Sequence, residues 1–400
     1  MTPAFQKPSI QSKLPAAGLS IFSQMTTLAN QQQALNLAQG FPDFAIAPQL
    51  IAYVEEAMRL GFNQYAPMPG YIALREAIVA RLYDEKQLLV DPDAEVTITA
   101  GATQALFSII GTVVGPGDEV VIFEPAYDSY APSIRLFGGI PVPIRLYAPD
   151  FAIPWAEVEA RISAKTKLII LNNPNNPSTK VWRLSDMQSL ARLVEATNIL
   201  LLSDEVYAHI CYDAVAHISL LEIEALRARS FVVTSFGKML HATGWKVGYV
   251  IAPPNFTEEL RKQHQFNVFS VNAPMQMGIA KYLQDSESKV SLGDFFQSKR
   301  DRVVQGLAES RFKVLPAQGT YFLLLSYAGI SSSLELAFAE ELTKAHKLAM
   351  IPVSAFYTGG CEQQLLRLCF AKTDDTLDKA IGILKNIGKM LRLYIILIAQ

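Results

Sequence analysis

From Glu95 to Tyr249 the chain alternates short β-branched runs with helical stretches, and this alternation restricts the possible folds more than any other feature. The runs are VTIT, EVVIF, KLIILN, ILLLSDE, RSFVVTSF and VGYVIAP, separated by segments such as 102–115 and 184–196. Unbroken aliphatic runs belong to strands buried on both faces. The pattern therefore predicts a mostly parallel sheet with helices on either side, an α/β architecture. Ligands of such sheets bind at the carboxyl ends of the strands, so chemistry is sought just after each run.

The flanks have a different rhythm. FKVLP, TYFLLL and LLRLCF read as strands between helices, and neither end looks complete alone. We expect a large domain at 48–284 and a smaller, discontinuous α+β domain built from 1–47 and 285–400, since 400 residues exceed what one core usually serves. Hydrophobic residues make up 50% of the chain and charged ones 18%, which argues for packed structure over most of the length.

The 35 basic and 37 acidic residues are interspersed and nearly balanced, leaving no electrostatic footprint for a nucleic-acid backbone or an anionic membrane. A small-molecule ligand is the expectation. Cys211, Cys361 and Cys369 are too few and too scattered for a disulfide framework or a zinc site, as a reducing compartment permits. No signal-peptide core opens the chain, so a cytoplasmic location is expected. The apolar run LRLYIILIAQ at the other end is about half the length needed to cross a bilayer and reads as the end of a packed helix.

The strand ends carry an unusual set of residues. After VTIT comes Ala100-Gly101-Ala102-Thr103-Gln104, a small-residue turn into an apolar helix; its free N–H groups and positive dipole end make a phosphate seat, although an ordinary helix start has the same look. After EVVIF, Tyr127 stands where a flat ring can stack on it, or where an aromatic simply enters the core. KLIILN ends in Asn172-Asn173-Pro174-Asn175-Asn176-Pro177, a stiff loop whose amides can be aimed at a ligand or spent in a tight polar turn.

ILLLSDE places Asp204 at the end of a run of four aliphatic residues and a serine, with Tyr207 three residues on. A buried carboxylate is expensive without a cation, so Asp204 calls for a protonated partner such as a pyridinium nitrogen, unless it is a solvated turn acid. RSFVVTSF leads into Gly237-Lys238, with Lys246 eight residues later. A lysine held in a cleft can lose its proton and act as a nucleophile toward a carbonyl, and Ser235 and Lys246 both suit a phosphate. Taken singly, any one of these has an ordinary structural explanation. Their succession along one sheet is what points to a site.

The motifs AGATQAL, NNPNNPS, SDEVY, SFGKMLHATGWKVGY and LLRLCFAK resemble, in order and over nearly the whole chain, the class I/II aminotransferases of fold type I, which depend on pyridoxal 5'-phosphate. NQYAPMPGYIALREAI, FEPAYDSYAPSI and HATGWKVGYVIAP look most similar to the methionine and kynurenine aminotransferases within that family. The resemblance implies a seven-stranded, mostly parallel sheet covered by helices, a smaller companion domain, and a homodimer. It further implies Lys238 as the lysine that joins the cofactor and shuttles the proton, and Asp204 as partner of the pyridine nitrogen. Asn176 and Tyr207 would bond the ring hydroxyl oxygen. Gly101, Ala102, Thr103, Ser235 and Lys246 would hold the phosphate, with Tyr65 reaching across from the other subunit. Tyr127 would lie on the ring, Arg367 would grip the substrate α-carboxylate, and Gly40 would border the substrate. Asn173 supports the loop rather than contacting ligand. One departure from the family is Pro177-Ser178-Thr179-Lys180, where many relatives have a Thr-Gly pair.

By this resemblance the reaction moves an amino group from an amino acid to a 2-oxo acid in a ping-pong cycle. Relatives that use aspartate read its distal carboxylate with an arginine after the lysine, and here none stands between Arg261 and Arg300. Phe22, Tyr65, Tyr127, Phe269 and Phe356 would instead line an apolar pocket suited to methionine, phenylalanine, tyrosine or kynurenine. A cysteine-conjugate or cystathionine β-lyase would use the same cofactor residues and is the alternative reaction. A ligand-sensing regulator would need a DNA-binding domain ahead of residue 30, for which there is no room.

Overall fold

A computed structural model describes residues 10–15, 18–285 and 291–387; the apolar run at 391–400 lies outside the described residues. In chain order the strands are β1 (Leu35–Asn36), β2 (Val96–Thr99), β3 (Glu119–Glu124), β4 (Ile140–Arg145), β5 (Thr166–Asn172), β6 (Leu200–Asp204), β7 (Ser230–Ser235), β8 (Gly248–Ile251), β9 (Lys313–Val314), β10 (Phe322–Ser326), β11 (Leu348–Ala349), β12 (Ile351–Pro352) and β13 (Leu365–Cys369).

Seven of these form one sheet in the order β2-β8-β7-β6-β5-β3-β4. The pairs from β7 through β6, β5 and β3 to β4 are parallel, and β8 runs antiparallel to both its neighbours. The six predicted runs are all strands of this sheet. The seventh, β4, is absent from the sequence reading because Pro141 and Pro143 interrupt its aliphatic pattern. It sits at the sheet edge beside β3, where a missing N–H breaks no ladder on its outer side.

The registers align the functional edge. Thr99 pairs with Gly248, Gly248 with Ser235, and Asn172 with Asp204, so the ends of β2, β5, β6 and β7 and the start of β8 share one border. The inner strands are aliphatic and buried along their lengths because helices cover both faces, one cluster including Val121, Ile169 and Leu201 and the other Val120, Ile170 and Leu202. On the second face lies the helix Gly101–Val113, with Ala105, Leu106, Ile109 and Ile110 buried.

A separate cluster joins both flanks of the chain. Met25, Ala29 and Leu37 pack with Phe296, Phe338, Leu366 and Leu384 around the antiparallel sheet β12-β13-β10-β9. β1 pairs in parallel with β11, tying residues 35–36 to 348–349. Tyr207, Ile210 and Tyr212 enter this cluster from the chain just after β6. The segment carrying Arg367 and the segment carrying Gly40 are thereby brought against the strand ends of the large sheet.

Candidate active site

A cleft of about 320 Å³ opens at the aligned border. It is lined by Gly101, Ala102 and Thr103 after β2, Tyr127 after β3, Asn176 after β5, Asp204 and Tyr207 at and after β6, and Ser235 and Lys238 at and after β7. Lys246, Gly40, Phe22 and Arg367 complete the wall from the remaining segments. Thus twelve of the thirteen candidate site residues named from the sequence converge on one cavity. The exception is Tyr65, which is 83% exposed and packs edge-on against Phe269, away from this wall. Phe269 likewise does not line it, and Phe356 stands behind it with its ring against Phe22.

Each group is held by its strand end. Asp204 is the last residue of β6; its Oδ2 accepts a 2.6 Å hydrogen bond from the Tyr130 hydroxyl and its Oδ1 one from the Val206 N–H. Burial raises its pKa to about 6, against which the Tyr130 bond acts. Asn176 is placed by its backbone N–H donating to Asn172 Oδ1 at 2.7 Å, while Asn172 Nδ2 donates to the Asp204 carbonyl. Both ends of the Asn173 amide are engaged by backbone, at Ile218 and Trp182. In the departing tetrapeptide, Thr179 takes the left-handed conformation at φ 67°, and hydrogen bonds from Gln318 and Gly319 to its carbonyl lock it.

Lys238 Nζ donates to the Tyr321 hydroxyl at 2.8 Å and to the Gly40 carbonyl at 3.2 Å. Burial lowers its pKa to about 8, with Arg367 and Lys246 acting in the same direction. The Gly101–Val113 helix begins without a side-chain cap. Lys246 lies beside this helix start in a left-handed conformation (φ 54°, ψ 50°), its Nζ 3.4 Å from where a Cβ on Gly101 would stand. Gly248 admits no side chain either, since a Cβ there would meet the Thr234 carbonyl at 2.6 Å and the Ala102 nitrogen at 3.1 Å. The turn, the β7 end and Lys246 thus form a tight cationic cradle around free N–H groups.

Arg367 is 1% exposed at the other side of the cleft. Its Nη1 donates to Asn176 Oδ1 at 2.6 Å and its Nη2 to the Ala38 carbonyl at 2.9 Å, and its Nε has no acceptor among the described residues. The guanidinium lies 3.9 Å from the Phe322 ring centroid, with Phe22 and Phe356 also over it. Burial lowers its pKa to about 10.

Residues 32–384 match the family model for aminotransferase class I and II. The chain belongs to that family. It is 46% identical over 371 residues to a methionine aminotransferase of Escherichia coli, covering 92% of this chain and 95% of that one. It is 33% identical to the mouse kynurenine–oxoglutarate transaminase 3, covering 90% and 86%. Among solved structures, one from E. coli described as having a methionine aminotransferase function aligns with a TM-score of 0.92 at 45% identity, over 95% of this chain and all of that one. An N-succinyldiaminopimelate aminotransferase from Mycobacterium tuberculosis aligns with a TM-score of 0.91 at 32% identity, with the same coverage. The fold is fold type I of the pyridoxal-phosphate enzymes, and the protein is an aminotransferase.

The residues present fit that cofactor. A buried carboxylate, a lysine of lowered pKa, an uncapped helix start with a lysine beside it and a buried guanidinium with one unengaged N–H are what a cationic ring, an aldehyde, a phosphate and a substrate carboxylate require. Sequence reasoning missed Tyr130, Tyr321 and Phe322. Tyr130 was within reach: it stands three residues after Tyr127 and opens the helix Tyr130–Leu136. Tyr321 and Phe322 lie 83 residues or more beyond Lys238, just before and at the start of β10 in the other sheet, and no local pattern ties them to it.

Among the described residues no helix is long and apolar enough to cross a membrane.

Proposed function

We propose that this aminotransferase takes its amino group from an apolar or aromatic L-amino acid, methionine foremost, and delivers it to a 2-oxo acid. The observation that carries the reading is Arg367, which is the one arginine lining the cleft among the described residues and is surrounded by aromatic rings. A guanidinium with an unengaged N–H is complementary to an α-carboxylate, and a wall with Phe22, Tyr127 and Phe322 accommodates an apolar side chain better than a second carboxylate. The similarity to a methionine aminotransferase and to kynurenine transaminases supports the same preference.

Pyridoxal phosphate supplies the electron sink that stabilises the carbanion left when the α-proton departs. The chain's own residues do the rest. Asp204, held by Tyr130, keeps its carboxylate aimed into the cleft to face a cation. Gly101, Ala102, Thr103, Ser235 and Lys246 seat the phosphate. Asn176 and Tyr207 orient the ring hydroxyl, Tyr127 covers the ring, and Gly40 borders the substrate. Lys238, its pKa lowered by burial to about 8, is suited both to accept and to return a proton.

A homodimer in which Tyr65 of each subunit reaches the partner's phosphate, a cytoplasmic location, and a division into 48–284 and 1–47 with 285–400 belong to the same reading. The exposure of Tyr65 and the cluster shared by both chain flanks support it. Steady-state rates with a panel of amino donors against 2-oxobutyrate and 2-oxoglutarate test the substrate. Methionine and aromatic donors are expected to lead, and faster turnover with aspartate than with methionine would overturn the assignment. Borohydride reduction followed by peptide mass spectrometry is expected to find the cofactor on the peptide carrying Lys238.

A further inference from the structure

The Lys238 amine has a receptor of its own. Tyr321 Oη accepts from Lys238 Nζ at 2.8 Å and donates to the Gly40 carbonyl at 2.6 Å, while Nζ also donates to that carbonyl at 3.2 Å. The three atoms close a small hydrogen-bonded ring, with the amine held by a phenol from the β10 segment and a carbonyl from the chain after β1. Tyr321 has no freedom to follow the amine elsewhere. It is fully buried, and its ring meets Tyr207, Phe296 and Phe322 at 5.2, 5.6 and 4.9 Å between centroids. Its backbone is pinned by Phe370 N–H donating to its carbonyl, and by Thr320 N–H donating to Ile210 just before it. Gly40 is equally constrained, since a Cβ there would stand 2.9 Å from the Phe322 ring.

We propose that Tyr321 is a positioning residue for the transfer reaction: its hydroxyl, with the Gly40 carbonyl, is the seat that receives the Lys238 amine whenever that amine is not joined to the cofactor. The inference rests on the reading of Lys238 as the cofactor-bearing lysine and adds what becomes of it on release. A four-carbon amine let go in a cleft has many rotamers, and a seat with two acceptor oxygens selects those that keep it at one place in the cleft. The phenol donates to the Gly40 carbonyl and also shares a hydrogen bond with the Tyr207 hydroxyl, and with burial holding its pKa well above the usual value it stays a neutral phenol whose oxygen accepts from the amine. An acceptor favours the charged amine, so the seat also raises the proton affinity that burial depresses. The other groups facing the amine are Asp204 and Cys369, which favour its charge, Arg367 and Lys246, which oppose it, and the Tyr207 ring at 5.6 Å.

The test compares Tyr321→Phe with the wild-type full chain, using Tyr327→Phe as a control that removes a buried tyrosine hydroxyl bonded to Ser333 in the same domain. In chain freed of cofactor, the rate of recombination with pyridoxal phosphate is followed across pH, which reports the fraction of neutral Lys238. The midpoint is expected to fall by about half to one unit in Tyr321→Phe, the worth of one hydrogen bond to a charged group shared with a second acceptor. With cofactor restored, kcat is expected to drop on the order of tenfold with little change in KM, and Tyr327→Phe is expected to change neither. An unmoved midpoint together with an unchanged kcat would overturn the proposal. If the phenylalanine variant does not fold, a ring-fluorinated tyrosine at 321 keeps the packing and weakens the acceptor, and a midpoint that then stays fixed or rises overturns it equally. Absence of cofactor on Lys238 in the reduced wild type is a separate result and would instead sink the underlying assignment.

Discussion

Replacing Tyr130 by phenylalanine isolates the one hydrogen bond that the protein itself gives to Asp204 Oδ2. Tyr130 is 3% exposed and its ring stands edge-on to Tyr127 at 5.8 Å, so phenylalanine keeps the packing and removes only the hydroxyl. Asp204 is 4% exposed, and its pKa of about 6 exceeds the usual 3.8 mainly through burial. A hydrogen bond to a charged acceptor contributes roughly 1.5–3 kcal/mol and one to a neutral acceptor roughly 0.5–1.5, so the charged form loses about 1–1.5 kcal/mol more. That is close to one unit, placing Asp204 near about 7 in the variant. The sign follows from proton linkage. With the folded pKa above the unfolded one, the folded chain retains a proton in that interval, and stability falls as pH rises through it. The interval ends at about 6 in the wild type and about one unit higher in the variant. Urea unfolding of cofactor-free chain is therefore expected to show Tyr130→Phe destabilised by ~1–1.5 kcal/mol more at about pH 8 than at about pH 5. Equal destabilisation at the two pH values would refute the claim that Tyr130 serves the ionised carboxylate.

Three further outcomes are expected. Arg367→Lys replaces a two-pronged donor by a point charge and is expected to lower kcat/KM for amino donors by ~3 kcal/mol, on the order of a hundredfold, in steady-state assays, with the cofactor spectrum retained. Removing the cofactor is expected to lower the melting temperature more at about pH 8 than at about pH 5, because only at the higher pH is Asp204 left as a buried anion without a facing cation; calorimetry of holo and apo chain at both values checks this. Gly278→Ala places a Cβ 2.4 Å from Val54 Cγ2 and 2.9 Å from Val54 Cα, where the helices Ala273–Gln284 and Pro48–Arg59 cross, and is expected to cost ~1–3 kcal/mol in urea unfolding without altering the cofactor spectrum.

What was legible in the sequence, and what was not, divides along a physical line. The large sheet could be read because strands buried on both faces must be aliphatic throughout, and a ligand site at their ends must interrupt that run with polar residues. Asp204 after LLLS and Asn172 after KLIIL are visible for that reason. β4 escaped because an edge strand can carry prolines that a central one cannot. The second layer of the site escaped for a different reason. Tyr130 and Tyr321 are aromatic residues in apolar surroundings, indistinguishable in one dimension from core, and their role lies in where a single hydroxyl points.

That second layer settles how the site's charges coexist. Asp204, Lys238 and Arg367 are all buried, and each carries its charge in a setting that opposes it, since burial raises the acid to about 6 and lowers the bases to about 8 and about 10. None is neutralised by a direct ion pair with another. Each is instead held by neutral partners: Asp204 by the Tyr130 hydroxyl, Lys238 by Tyr321 and the Gly40 carbonyl, Arg367 by Asn176 and the Ala38 carbonyl. Neutral partners fix position without cancelling charge. The full electrostatic demand of each group is left for what enters the cleft, and in the proposed reading a ring cation, a carbonyl and a carboxylate answer those three demands. Had Lys238 been paired with Asp204, the acid would have had no charge to offer the ring and the amine no lone pair to offer the carbonyl. The intervening neutral donors and acceptors are therefore as much a condition of the chemistry as the charged groups they hold.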